Sequence, residues 1–283
     1  MKPSIFSLLL AISLCFTGCY YQQSSYADPD LIAETALTIE TTTPVDAETP
    51  PDIPSVSTGS TEAPLEIPAG SHFLRFDSVD TGDYLDYYLF IPENAVAEMP
   101  LVVFLHGDGQ VYDPEGLENY GPISCAREIY GENYPFILIS PCTRVFSWTD
   151  GSIPATLMEL INTVIDQYSI DRKHLIITGH SRGAIGVWYM ISEYGDLFSA
   201  AVPVSCGADR ALNSERLVTV PVYAIAGDIG QDERIYSYKM ESLVSEINEL
   251  DGKAEFILLK GCSHADTDTA AYTQETFEWM LEQ

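Results

Sequence analysis

Basic residues are scarce: 13 Lys plus Arg stand against 42 Asp plus Glu, a net charge of −29 over 283 residues. A chain with so little positive charge has no surface to neutralise phosphates, which excludes nucleic acid as a partner. It also lacks the basic patches that dock on anionic lipid. Histidine is scarce too, five in all. With no His-Glu-x-x-His and no Cys-x-x-Cys, no metal-ligand spacing is present, and neither a metal nor another cofactor is implied. After the first 19 residues no apolar run is long enough to span a bilayer. Apolar and aromatic residues, by contrast, are plentiful. With 46% hydrophobic residues, 17 Tyr and 11 Phe, the chain can build a real core, which excludes disorder throughout.

The first 19 residues read as an export signal: Lys2, an apolar stretch from Ile5 to Phe16, then Phe16-Thr17-Gly18-Cys19. The small residues before a cysteine resemble the lipobox of bacterial lipoproteins. That resemblance implies a lipid on Cys19 and a place on the extracellular face of the cell membrane, touched only through the anchor; cleavage and release is the alternative. Residues 20–70 carry nine Asp or Glu, seven Pro, many Thr and no Lys or Arg. Such a segment buries too little apolar surface to offset its ordering entropy, and it reads as a disordered acidic tether. The domain is expected over 71–283, acidity serving solubility, as a monomer.

Within the domain, HFLRF and YLDYYLFI flank Asp80-Thr81-Gly82-Asp83, a hairpin signal. Short apolar runs follow at 101–107, 136–141, 174–179, 200–205, 222–227 and 255–261, separated by helical patterns. One such pattern places Leu157, Leu160, Ile161, Val164, Ile165 and Tyr168 on one face; a second places Ala184, Val187, Trp188, Ile191 and Tyr194; a third runs from Ile235 through Met240 and Val244 to Leu250. Continuous apolar strands alternating with helices predict an α/β fold, a mostly parallel sheet covered on both faces. Ligands then bind at the carboxyl ends of the strands.

LIITGHSRGAIG, 175–186, falls at such an end. Gly179-His180-Ser181-Arg182-Gly183 is a sharp strand-to-helix turn whose glycines relieve crowding and leave the Ser181 hydroxyl standing at a helix N-terminus. A nucleophilic serine needs a base, and on such an elbow the acid and then the histidine follow along the chain. One histidine lies after Ser181, His264, directly after the last apolar run. The acid is Asp232 or Asp228, both following the run 222–227. Asp232 is preferred because Ile235 opens the next helix; Asp228 sits tight against the strand end, and either can make an Asx-turn. For the oxyanion, the N–H of Arg182 and the N–H of Asp108 are expected donors, Gly107 and Gly109 permitting close backbone approach. Gln110 is a candidate pocket residue, and Trp148 either lines the pocket or packs beneath it.

These residues resemble the α/β-hydrolase superfamily over about 71–283. More narrowly, YSIDRKHLIITGHSRGA followed by DLFSAAVPVSCG is similar to feruloyl and polyhydroxyalkanoate esterases and the peptidase-like proteins grouped with them, with Asp171, Phe198, Pro203 and Trp148 in matching places. Relatives often have Met where Arg182 stands. The resemblance implies a serine esterase forming an acyl-enzyme on a small-molecule or oligosaccharide ester, with peptidase or acyltransferase action on the same triad, or a silent surface binding module, as alternatives. The short segment after Cys206 leaves no room for a large lid, so an open site suited to saccharide esters is expected. Cys125, Cys142, Cys206 and Cys262 allow three disulfide pairings or remain free thiols.

Overall fold

A computed structural model describes residues 68–110, 114–145, 147–208 and 212–283. The expected signal segment with Cys19, and the tether as far as residue 67, lie outside the described residues. β1 (Gly70–Asp77) and β2 (Tyr84–Ile91) pair antiparallel, with Asp77 opposite Tyr84. The turn between them closes through the Ser78 N–H, which donates to the Asp83 carbonyl at 2.8 Å, and Gly82 supplies the positive φ of 70°.

The six apolar runs become β3 (Leu101–Leu105), β4 (Ile137–Cys142), β5 (Leu175–His180), β6 (Ala200–Val204), β7 (Val222–Ile229) and β8 (Ala254–Ser263). Together the eight strands form one sheet in the order β1-β2-β4-β3-β5-β6-β7-β8. β2 meets β4 antiparallel, and every pair from β4 to β8 is parallel. Side chains of β3 alternate between the two faces. Leu101, Val103 and Leu105 join one core cluster, Val102 and Phe104 the other.

The connecting helices cover both faces, which is why the inner strands β3, β4, β5 and β6 are buried along their whole length, whereas the edge strands β1 and β8 keep polar and exposed positions. Packed on the first cluster are α2 (Ile153–Tyr168), α3 (Arg182–Tyr194) and α5 (Ser237–Glu249); on the second are α1 (Pro122–Tyr130) and α7 (Gln274–Leu281). Short helices α4 (Ser214–Leu217) and α6 (Thr267–Ala270) complete the set. The helical segment expected from Ile235 opens earlier, as one wide π-helical turn over Asp232–Tyr236 that runs directly into α5 at Ser237, and Leu250 lies past its end, half exposed. Between β6 and β7 the described residues hold α4 alone, and among them no helix is long and apolar enough to cross a membrane.

Candidate active site

β5 runs straight into α3 through Ser181, whose φ of 57° and ψ of −118° lie outside the regions a side chain ordinarily adopts. The crossing is tight because β3 passes beneath it. A Cβ on Gly183 would stand 1.8 Å from the Leu105 carbonyl oxygen, and one on Gly179 would stand 2.7 Å from the Gly183 backbone. Only glycine fits on either side of the serine. From β6 the Val204 carbonyl accepts the Ser181 N–H at 2.9 Å, which pins the strained residue to the sheet.

The His264 ring comes off the end of β8. Its Nε2 lies 2.8 Å from Ser181 Oγ, and its Nδ1 lies 2.8 Å from Asp232 Oδ1. A carboxylate only accepts, so Nδ1 carries the proton and Nε2 is left to accept from the serine hydroxyl. Asp232 is fully buried. Burial raises its proton affinity, but hydrogen bonds from His264, from Ser205 and from the Gly227 N–H (2.8 Å) outweigh it and hold the carboxyl below its ordinary range. The structure thus brings Ser181, His264 and Asp232 into one hydrogen-bonded row.

Asp228 is not in that row. Its Oδ1 accepts the Gly261 N–H at 2.6 Å and braces β7 against β8 where their register shifts. β7 continues through Ile229, and Gly230 then turns the chain with a φ of 72°, so the inward carboxylate comes from Asp232. For Trp148 the structure favours the packing alternative. It is 1% exposed, its indole N–H donates to the His106 carbonyl at 3.0 Å, and it packs against Gly186; it supports the loop after β3 from below and lines no open pocket. Gln110 ends the 3₁₀ turn 108–110, and its side chain lies outside the described residues.

On the other side of Ser181, the backbone of Gly107 packs against the serine, where a Cβ would meet Ser181 Cβ at 3.3 Å. At Gly109 a Cβ would meet nothing within 4 Å, so close approach depends on Gly107 alone. Arg182 opens α3, which puts its N–H at the positive end of the helix. The loop is held by His106, whose Nδ1 is 2.6 Å from the Gly107 carbonyl while its Nε2 accepts the Thr143 N–H at 3.2 Å. Burial lowers this imidazole to about 4, so it is neutral.

Sequence reasoning missed several groups that surround the row. His180 is buried, and burial followed by the neighbouring His264 lowers it to about 4. Its neutral ring donates from Nε2 to the His264 carbonyl at 2.8 Å, and the Tyr120 hydroxyl lies 3.1 Å from its Nδ1. Thr267 also donates to the His264 carbonyl, at 2.9 Å. The Tyr236 ring centre is 5.1 Å from that of His264. No local pattern marks these residues, because their partners are distant in sequence.

Behind Tyr120 lies a half-buried acid, Asp268, with an incomplete set of partners. Burial raises Asp268 to about 7, opposed by hydrogen bonds from the Tyr120 hydroxyl and the Gly121 N–H, and its Oδ1 has no partner. The folded state therefore binds this proton more tightly than the unfolded chain does. Its contribution is most favourable below the ordinary carboxylate range and is lost as pH rises from about 4 to about 7, a difference of a few kcal/mol at about 1.4 kcal/mol per pH unit. Asp268→Asn is expected to be more stable than the wild type at pH 8 and no more stable at pH 4. Urea unfolding at the two pH values checks this; a difference that does not change with pH counts against it.

No disulfide joins any two of the four cysteines among the described residues. Burial pushes Cys142 up to about 12 and Cys125 in the same direction. No group of three or more metal-ligating side chains occurs among the described residues.

No protein-family model matches the chain. Acetylxylan esterase A of Emericella nidulans is 27% identical over 150 residues, 46% of this chain and 46% of that one. Feruloyl esterase B of Talaromyces stipitatus is 26% identical over 159 residues, 48% of this chain and 42% of that one. The chain thus spans less than half the length of these curated relatives. Among solved structures, a thermostable esterase superposes with a TM-score of 0.66 at 27% identity, covering 75% of this chain and 63% of the other. The chain has the α/β-hydrolase fold, and over just under half its length it is similar to acetylxylan and feruloyl esterases.

Proposed function

We propose that this protein is a serine carboxylic ester hydrolase acting on acyl or feruloyl esters of saccharides. One observation carries the proposal: the hydrogen-bonded row Ser181–His264–Asp232 at a strained strand-to-helix corner. In the reaction Ser181 Oγ attacks the ester carbonyl carbon while His264 Nε2 takes its proton. Asp232 stabilises the imidazolium that forms. The N–H groups of Arg182 and Asp108 hold the oxyanion. As the tetrahedral adduct collapses, the ester C–O bond breaks and His264 returns the proton to the leaving alcohol. Water, deprotonated by the same imidazole, then releases the acid from the acyl-enzyme. Support for saccharide esters comes from the acetylxylan and feruloyl esterases among the relatives, and from a connection after β6 too short to form a large lid over the site. The same reading includes a lipid anchor at Cys19 that presents the domain outside the cell.

A fluorophosphonate probe tests the whole proposal. It is expected to label the wild type and to leave folded Ser181→Ala unlabelled. In a panel of aryl acetate, feruloyl saccharide, long-chain acyl and peptide substrates, the first two are expected to turn over fastest. Fast cleavage of long-chain esters or peptides with inert acetyl and feruloyl saccharides would overturn the substrate class. Applied to cell fractions, the probe is expected to mark the membrane in wild type and the medium in Cys19→Ser; label in the medium for both sinks the anchor.

A further inference from the structure

The two residues whose N–H groups face the reacting carbonyl in this scheme are also joined through their side chains. Arg182 Nε and Nη2 meet Asp108 Oδ1 and Oδ2, the second contact at 3.0 Å, so the guanidinium and carboxylate form a two-pronged fork. Asp108 starts the 3₁₀ turn after β3, and Arg182 starts α3. Beyond the backbone packing of His106 and Gly107 on the elbow, this fork joins Asp108 in one loop directly to the first residue of α3. A fork of this kind fixes distance and orientation together, which a single point charge does not.

An oxyanion hole works only if both donors stand at hydrogen-bonding distance from one developing charge, and about 1 Å of misplacement can cost about a hundredfold in rate. The loop carrying Asp108 packs on the elbow at its base, through the His106 carbonyl beside Gly183 and through Gly107 beside Ser181, while further along a Cβ on Gly109 would meet nothing within 4 Å. Resting on the serine-hydrolase reading above, we infer that the Arg182–Asp108 fork is a clamp that sets the spacing of the two oxyanion donors. Both side chains are positioning residues; neither needs to touch substrate.

The competing role for Arg182 is a plain positive charge lent to the oxyanion, and substitutions separate the two. A clamp is broken equally by Asp108→Asn, Arg182→Lys and Arg182→Met, and the double variant Asp108→Asn/Arg182→Met is no worse than either single change. A lent charge is kept by Arg182→Lys and released by Asp108→Asn, which would then match or exceed the wild type. The expected result is a fall in kcat of about 10- to 100-fold in every variant with KM within about threefold, and a matching loss of affinity for a boronic acid that mimics the tetrahedral adduct. Both side chains are partly exposed, so thermal unfolding of each variant is expected to stay near wild type. Wild-type kcat in Asp108→Asn or Arg182→Lys overturns the clamp. Fluorophosphonate labelling of the variants keeps the outcomes apart: a wild type that labels while the clamp test fails leaves the hydrolase reading standing, whereas a wild type that does not label removes the reading itself.

Discussion

Asp232→Asn is expected to lower kcat by about ten thousandfold, the scale seen when a triad acid is made neutral, while Asp228→Asn stays within a few-fold of wild type. The reason lies in which way the new amide must face. Gly227 offers a fixed backbone N–H to Oδ2 of Asp232, 2.8 Å away, and Ser205 donates to the same oxygen. An asparagine has one oxygen, and it has to go there, because the N–H of Gly227 cannot turn into an acceptor. The amide NH2 is then left facing His264 Nδ1, which must accept. That drives the imidazole proton to Nε2, where it opposes the Ser181 hydroxyl instead of receiving from it. Ser205 thus takes part in selecting the tautomer without touching the histidine.

The same substitution has a signature in stability. Because the folded state holds the Asp232 carboxyl below its ordinary range, the contribution of this group is present above that range and is lost as pH falls through the lowered value. Asp232→Asn removes that acid-side loss, so the unfolding midpoint of the variant is expected to fall less steeply with acidification. Steady-state kinetics at neutral pH and urea titrations across the acid range measure the two effects. Equal activity losses in Asp228→Asn and Asp232→Asn would discard the assignment.

Legibility in the sequence follows how local each constraint is. The strands β3 to β8 could be read because a sheet covered on both faces demands apolar runs, and runs such as LVVFL and LII contain nothing else. Ser181 could be read because the elbow's steric demand falls on Gly179 and Gly183, two positions away on either side. Asp232 was harder. Its position depends on how far β7 extends and where Gly230 turns, and the matching irregularity lies across the sheet in β8. Trp148 stayed open between lining and packing because an indole beside a site and an indole beneath it look alike in sequence; the difference is a hydrogen bond to His106, 42 positions away. The Arg182–Asp108 fork and the His180 contact with the His264 backbone are of the same kind, joining residues 74 and 84 positions apart.

Gly183→Ala is the substitution expected to damage the fold most. The added methyl group would sit 1.8 Å from the Leu105 carbonyl oxygen and 2.6 Å from its carbon, and these atoms belong to the central strand β3. No side chain can swing aside to relieve the contact. Either α3 moves off the sheet, taking the Ser181 corner with it, or β3 loses its register with β5, which pairs Leu105 with Gly179. Overpacking of a well-packed interior commonly costs about 1–3 kcal/mol, and a clash against immobile backbone belongs at or above the top of that range. For a domain of this size about 4 kcal/mol corresponds to a drop of roughly 10 °C in the unfolding midpoint. Gly109→Ala is the control from the same neighbourhood, since its methyl group meets nothing within 4 Å, and its midpoint is expected within about 2 °C of wild type. Calorimetry of the two variants distinguishes a corner that requires glycine from one that merely contains it: equal midpoints would mean that β3 yields to the added methyl, and the strained geometry at Ser181 would then have to be held from β6 alone.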